Sequence, residues 1–175
     1  MIYHITGHTS GLGKALHKLF PDAQCYSRSN GFDIKHPANI ISKIDQSQRN
    51  VFINNAYDGF AQVDLLFEVF NTLKESNSLI INVSSNSGDG IKSFVHPYAI
   101  HKSALDKASE QLSYISETEK NPCSVSNIRF GYLDTPRTKH VTEKKIHAGN
   151  AASYINFIID NWKKNIYIKN LTIVP

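Results

Sequence analysis

The sequence predicts an α/β fold, a three-layer, doubly wound parallel sheet with helices on both faces. Three observations predict it. Short apolar or β-branched runs at residues 2–6, 23–26, 51–54, 79–83 and 124–130 read as buried strands. Between most of them lie stretches whose apolar residues recur at helical spacing, and strand–helix alternation of this kind builds a parallel sheet. The chain has 175 residues, 41% hydrophobic and 19% charged, which is enough core for one such domain and too little for two. One domain over residues 1–175 is therefore expected.

The first strand, IYHIT, runs straight into Gly7-His8-Thr9-Ser10-Gly11-Leu12-Gly13 and then KALHKLF, where Leu12, Ala15, Leu16 and Leu19 recur at helical spacing. A strand, a glycine-rich turn and a helix in succession form a phosphate-binding βα turn. Gly7 and Gly11 can take backbone angles closed to other residues, Gly13 lets strand and helix approach, and the free N–H groups of the helix start face an anion. Pro21 ends the helix. A second strand over 23–26 leads into Ser27-Arg28-Ser29, the place where the adenosine ribose of a dinucleotide is read. An acidic residue there suits the 2′-hydroxyl of NAD, whereas Arg28 suits the 2′-phosphate of NADP(H). A solvated surface arginine is the plainer alternative.

Too few residues separate Arg28 from Phe32-Asp33-Ile34 for a crossover helix, which needs about a dozen. Residues 32–34 are thus a vestigial strand or a loop, and the helix between strands two and three is missing. Ile40, Ile41 and Ile44 predict a helix within 38–48 before the strand at 51–54, which ends in Asn54-Asn55-Ala56-Tyr57. Val63, Leu66, Phe67 and Phe70 mark an amphipathic helix over 62–74. The strand at 79–83 enters Ser84-Ser85 and a glycine-containing turn, followed by a helix over 98–117. Tyr98 and Lys102 lie one turn apart on one face of it. After the strand at 124–130 comes the turn Gly131-Tyr132-Leu133-Asp134-Thr135-Pro136. Residues 137–149 are polar, basic and expected to be mobile. A last helix over 151–162 precedes a closing strand at either 166–168 or 171–174.

Composition narrows the classes of function. The net charge of +4 comes from scattered basic residues, with no long Lys/Arg run and no aromatic–basic pattern, so no nucleic-acid partner is expected. No apolar run approaches membrane-spanning length, so no membrane partner is expected either. A chain that opens directly in a strand pattern leaves no room for a cleavable leader, and a cytoplasmic location is expected. Cys25 and Cys123 fit no zinc or redox spacing, so neither a metal nor a disulfide is implied.

Tyr98, Lys102 and Ser85 form a set that can do chemistry. A phenol titrates near pH ~10, and a nearby ammonium brings it toward its working range as an acid or base. Ser85 could hold a substrate oxygen beside it. Singly, each has an ordinary structural role, as a buried aromatic, a solvated lysine and a turn former. Their joint spacing points to a site. His96 and His101 flank Tyr98 and His8 lies in the glycine turn, where polar lining is the ordinary role.

Together these pieces resemble the short-chain dehydrogenase/reductase family. The chain carries its TGxxxGxG as Thr6 to Gly13, the start of its NNAG as Asn54-Asn55-Ala56, and its YxxxK as Tyr98 to Lys102, with Ser85 thirteen residues before Tyr98. The resemblance implies a Rossmann-type fold and carbonyl–alcohol interconversion with NADP(H) preferred and NAD(H) possible. It makes Tyr98 the general acid/base, Lys102 the group that lowers its pKa and binds ribose, and Ser85 the holder of the substrate oxygen. It also assigns cofactor contacts to Leu133, Thr135, Asp33 and Ile34. It implies a small-molecule carbonyl or alcohol substrate and a homodimer or homotetramer formed through helices 62–74 and 98–117. The chain departs from the pattern at Phe130-Gly131, at Tyr57, and in lacking the asparagine of the family's proton relay, for which Asp58 is the nearest polar candidate. These departures leave a second reading open, a non-catalytic NAD(P)-binding regulatory or scaffold module of the same fold. A third, weaker one is an isomerase or dehydratase using the same Tyr–Lys pair.

Overall fold

A computed structural model describes residues 1–91 and 93–175. Strand β1 (Ile2–Thr6) is followed by helix α1 (Gly11–Leu19), β2 (Gln24–Tyr26), the one-turn α2 (Ala38–Ile41), β3 (Asn50–Asn54), α3 (Ala61–Leu73) and β4 (Leu79–Ser85). Helix α4 (Pro97–Thr118), β5 (Ser124–Phe130), β6 (Leu133–Asp134), β7 (Ile146–His147), α5 (Ala148–Lys163) and β8 (Asn170–Ile173) complete the order. Six strands form one sheet in the order β2-β1-β3-β4-β5-β8, and every neighbouring pair is parallel.

Alternation along the strands divides the core between two faces. Val51, Ile53, Leu79, Ile81, Ile128 and Phe130 pack with Leu16 of α1 and with Ile155, Ile159 and Trp162 of α5. Phe52, Ile80 and Val125 point the other way, onto Leu66 and Phe70 of α3 and Leu105 and Leu112 of α4. The outcome is the predicted three-layer, doubly wound sheet. Leu105, Ala108 and Leu112 are buried in this core, so they cannot be the apolar surface of a subunit contact.

Several boundaries differ from expectation for local reasons. Residues 32–34 form no strand, so β2 is the sheet edge, and the segment after it is a 3-10 turn over Arg28–Asn30. The helix expected within 38–48 shrinks to one turn because Asp45 accepts from the backbone and hydroxyl of Ser47, an arrangement that competes with helix. Residues 137–149, expected to be mobile, contain a 3-10 turn over Pro136–Thr138 and the strand β7. Its Ile146 is buried and pairs with Leu133, which ties the segment down. Helix α5 starts at Ala148, and the closing strand is the second of the two candidates. No helix among the described residues is long and apolar enough to cross a membrane. Nor do they contain a group of three or more His, Cys, Asp or Glu that could hold a metal ion.

Candidate active site

Parallel strands end at a common edge, and the candidate residues meet beyond the C-terminal ends of β1, β3, β4 and β5. A cleft of about 1220 Å³ runs along that edge. One half is lined by Gly7, Thr9 to Gly13, Arg28, Asp33, Ile34, Asn55 and Ala56, and the other by Ser85, Tyr98, Lys102, Leu133 and Thr135. Most of the residues singled out for the site therefore face one space. His8, His101 and Asn54 do not. His8 packs edge-on against His17. Asn54 is wholly buried behind the cleft, donating to the Gln62 carbonyl and to Asn82.

The glycine turn has the geometry its spacing predicts. Gly7 and Gly11 have φ of +73° and +50°. A Cβ at Gly13 would lie 1.9 Å from the Gly7 carbonyl oxygen, so only hydrogen fits where α1 crosses the end of β1. The turn is stapled to β3 by Thr6, whose hydroxyl accepts from the backbone N–H groups of Asn55 and Ala56. Across the cleft, Thr135 packs against Gly11, and Thr138 holds the turn by donating to the Leu133 carbonyl. This cradle fits a dinucleotide. At its outer end Arg28 has a side chain 78% exposed, within 4.0 Å of Asp58, which also pairs with Lys35 at 3.1 Å. Asp58 is thus bound to cations at the adenosine end.

At the other end Pro97 opens α4, fixing the first turn so that Tyr98 faces the end of β4. Burial pushes the Tyr98 phenol above its ordinary value, while the nearby Ser85 hydroxyl and the Arg137 guanidinium pull it back. Lys102 is 3% exposed, and burial lowers it to about 7 even though the Asp106 carboxylate, one turn further along α4, favours its charge. Its ammonium donates to Gln62 Oε1 and to the Val83 carbonyl, both at 2.8 Å. It also sits 5.3 and 5.6 Å from the ring centres of Tyr57 and Tyr98. The groups that favour the phenolate of Tyr98 in this geometry are the Ser85 hydroxyl and the Arg137 guanidinium.

Three residues that sequence reasoning passed over or misread complete the site. Gln62, at the start of α3, is buried, accepts from Lys102 and donates to the Asn54 and Val83 carbonyls, whereas Asp58, the nearest polar candidate for the relay, pairs with Lys35. A glutamine on the flank of an apolar helical stripe was the available signal. Tyr57 stands edge-on to Tyr98, ring centres 4.9 Å apart, and its hydroxyl bonds His101 Nδ1 at 2.9 Å. Arg137 lies 4.8 Å from the Tyr57 ring centre and 5.6 Å from that of Tyr98.

No protein-family model matches the sequence, and no curated protein matches it either. Solved structures do. A short-chain dehydrogenase from Burkholderia cenocepacia J2315 in complex with NADP aligns over 98% of this chain and 86% of its own, with TM-score 0.77 and 19% identity. A 4-hydroxyisoleucine dehydrogenase complexed with NADH and succinate gives TM-score 0.80 at 18% identity, over 99% of this chain and 97% of its own. This chain has the short-chain dehydrogenase/reductase fold. A member of that fold from Vibrio parahaemolyticus, covered over 99% of both chains at 18% identity and TM-score 0.77, matches equally well. The six parallel strands and their flanking helices place the glycine turn and the Tyr98 helix on the one edge where this fold carries its cleft.

Proposed function

We propose that this protein is an NAD(P)-dependent oxidoreductase that interconverts a carbonyl and an alcohol. The observation that carries the reading is that Ser85, Tyr98 and Lys102 line the same cleft as the glycine turn. Neighbours of the same fold in complex with NADP, NADH and NAD support a nicotinamide cofactor. The cradle of Gly7, Thr9 to Gly13, Asn55 and Ala56 would hold it, with Arg28, Asp33 and Ile34 at the adenosine end and Leu133 and Thr135 at the nicotinamide end. When bound in reduced form it supplies hydride to the carbonyl carbon and is itself oxidised, so that carbonyl, proton and reduced carrier become alcohol and oxidised carrier.

This chain's own residues handle the oxygen and the proton. Ser85 holds and polarises the substrate oxygen, and Tyr98 gives its phenolic proton to that oxygen as the C=O π bond becomes an O–H bond. Lys102, near half protonation at neutral pH, binds the ribose and returns a proton toward Tyr98, with Gln62 fixing its ammonium. NADP(H) is the preferred carrier because Arg28 and Lys35 flank the adenosine end. The exposed apolar residues Phe60, Phe67, Ile100 and Tyr114, at the start of α3 and on α3 and α4, support self-association through those helices. Replacing Tyr98 with Phe is the test. Turnover should fall by about 10²–10⁴-fold while NADPH affinity is kept; a variant of undiminished activity would sink the assignment.

A second reading is a dinucleotide-binding regulatory module without turnover. What favours it is the confinement of Lys102 between Gln62 and Val83, with both bonds already made. Tight cofactor binding with no hydride transfer to any of a broad set of ketones and aldehydes would decide for it.

A further inference from the structure

Arg137 has no acidic partner among the described residues, yet it is not free to wander. Its guanidinium lies over the rings of both Tyr57 and Tyr98, and cation–π attraction to two ring faces holds it there. The 3-10 turn that carries it is fixed by the reciprocal caps of Thr135 and Thr138. Lys102 and Arg137 both reach the Tyr98 ring, and neither makes an ion pair among the described residues. The acidic side chains that line the cleft are Asp33 and Asp58, and Asp58 is paired with Lys35 at 3.1 Å. His96 adds a ring nitrogen, Nδ1, with no hydrogen-bond partner among the described residues, on a ring 6.3 Å from that of Tyr98.

A fixed, unpaired guanidinium with five donors in a planar fork suits a carboxylate bound through two parallel hydrogen bonds. We propose that Arg137 reads a carboxylate on the substrate, so that the carbonyl compound is a short-chain oxo acid and the alcohol the matching hydroxy acid. The proposal rests on the carbonyl–alcohol reading above. The separation of 5.6 Å between the Arg137 guanidinium carbon and the Tyr98 ring centre limits the chain length. A carboxylate on Arg137 and a carbonyl oxygen at the Tyr98 hydroxyl belong to one small molecule, with few carbons between them. The same guanidinium could instead serve an anion of the cofactor, and the experiment separates the two.

The probes are 2-oxobutanoate, 3-oxobutanoate and 4-oxopentanoate, each beside its methyl ester. Calorimetric titrations are run on the free protein and on protein saturated with NADP+, which cannot reduce them, for the wild type, Arg137→Gln and Arg137→Lys. Turnover with NADPH is measured in parallel, and thermal melting checks that the exposed Arg137 can be replaced without unfolding. For at least one acid, the wild type should bind the acid about 10–100-fold more tightly than its ester. Arg137→Gln should erase that preference with NADP+ affinity unchanged, and Arg137→Lys should keep part of it. Esters binding as well as acids to the wild type would overturn the proposal. So would loss of NADP+ affinity in Arg137→Gln with the acid–ester ratio intact, which would assign the cation to the cofactor. Preferential binding of an acid without any turnover would uphold the anion site and sink the carbonyl–alcohol reaction.

Discussion

The two ends of the cleft are built to different standards. Around Tyr98 the polar groups are buried and cross-linked. Lys102 is gripped by Gln62 and Val83, Gln62 is tied to Asn54, and Asn54 to Asn82, which in turn donates to Ser109 on α4. Around Arg28 the corresponding groups are exposed, on a 3-10 turn beside a three-residue edge strand, and their ion pairs lie in solvent. The difference fits the proposed roles of the two ends. Proton transfer fails when donor and acceptor shift by an ångström, whereas a charged phosphate can be recognised by flexible cations across water. The Arg28 side rests on a short edge strand and a single helical turn, while the Tyr98 corner is packed.

The largest effect on this contrast should come from Gln62→Leu. It leaves the buried Lys102 ammonium with one partner and the Asn54 carbonyl without its Gln62 donor, so urea unfolding should show a loss of about 3 kcal/mol. A loss below about 0.5 kcal/mol would mean that the corner is no more rigid than the surface.

A buried histidine of β1 and the buried Lys102 should also separate along the pH axis. Burial holds the His4 imidazole, between Tyr26 and Asn50, below its ordinary value of 6.5. The unfolded chain therefore takes up that proton first, and stability is present above pH 6.5 and declines as pH falls below it. Lys102 is lowered from 10.5 to about 7, so between those values the unfolded chain is again the one with more protons, and stability rises with pH. Each slope is at most about 1.4 kcal/mol per pH unit. Comparing chemical denaturation across pH for the wild type, His4→Gln and Lys102→Met checks this, since each variant should flatten its own window alone. Flattening of both windows by one variant would show the two buried groups to be coupled.

The smallest effect should be that of Arg28→Ala. The thermal shift given by NADPH should shrink toward that given by NADH, with the melting temperature of the free protein unchanged, because a side chain 78% exposed contributes little to folding. Equal shifts with the two cofactors in the wild type would remove the phosphate-reading role.

What the sequence disclosed follows the same division. The glycine turn and the Tyr98–Lys102 pair were legible because their geometry is local. One βα turn and one helical turn fix them whatever the rest of the chain does. Gln62 and Arg137 were not, since the first reaches Lys102 across 40 residues and the second reaches Tyr98 only through a turn that Ile146 holds in place. The resemblance assigns Asn54, Asn55 and Ala56 to the cofactor together, whereas strand alternation turns the Asn54 and Asn55 side chains apart. The helix over 38–48 was overextended because apolar spacing says nothing of the Asp45–Ser47 turn that stops it.

The loop after β2 has a consequence for how the protein behaves in a crowded solution. An exposed strand edge is a template on which other chains can pair and aggregate. Here β2 offers only three residues, and Asn30 of the adjoining turn donates its side-chain amide to the Cys25 carbonyl at 2.8 Å. The far edge, β8, is also short, at four residues. A sheet that ends in two short strands is thereby left with little free backbone for a neighbouring chain to extend.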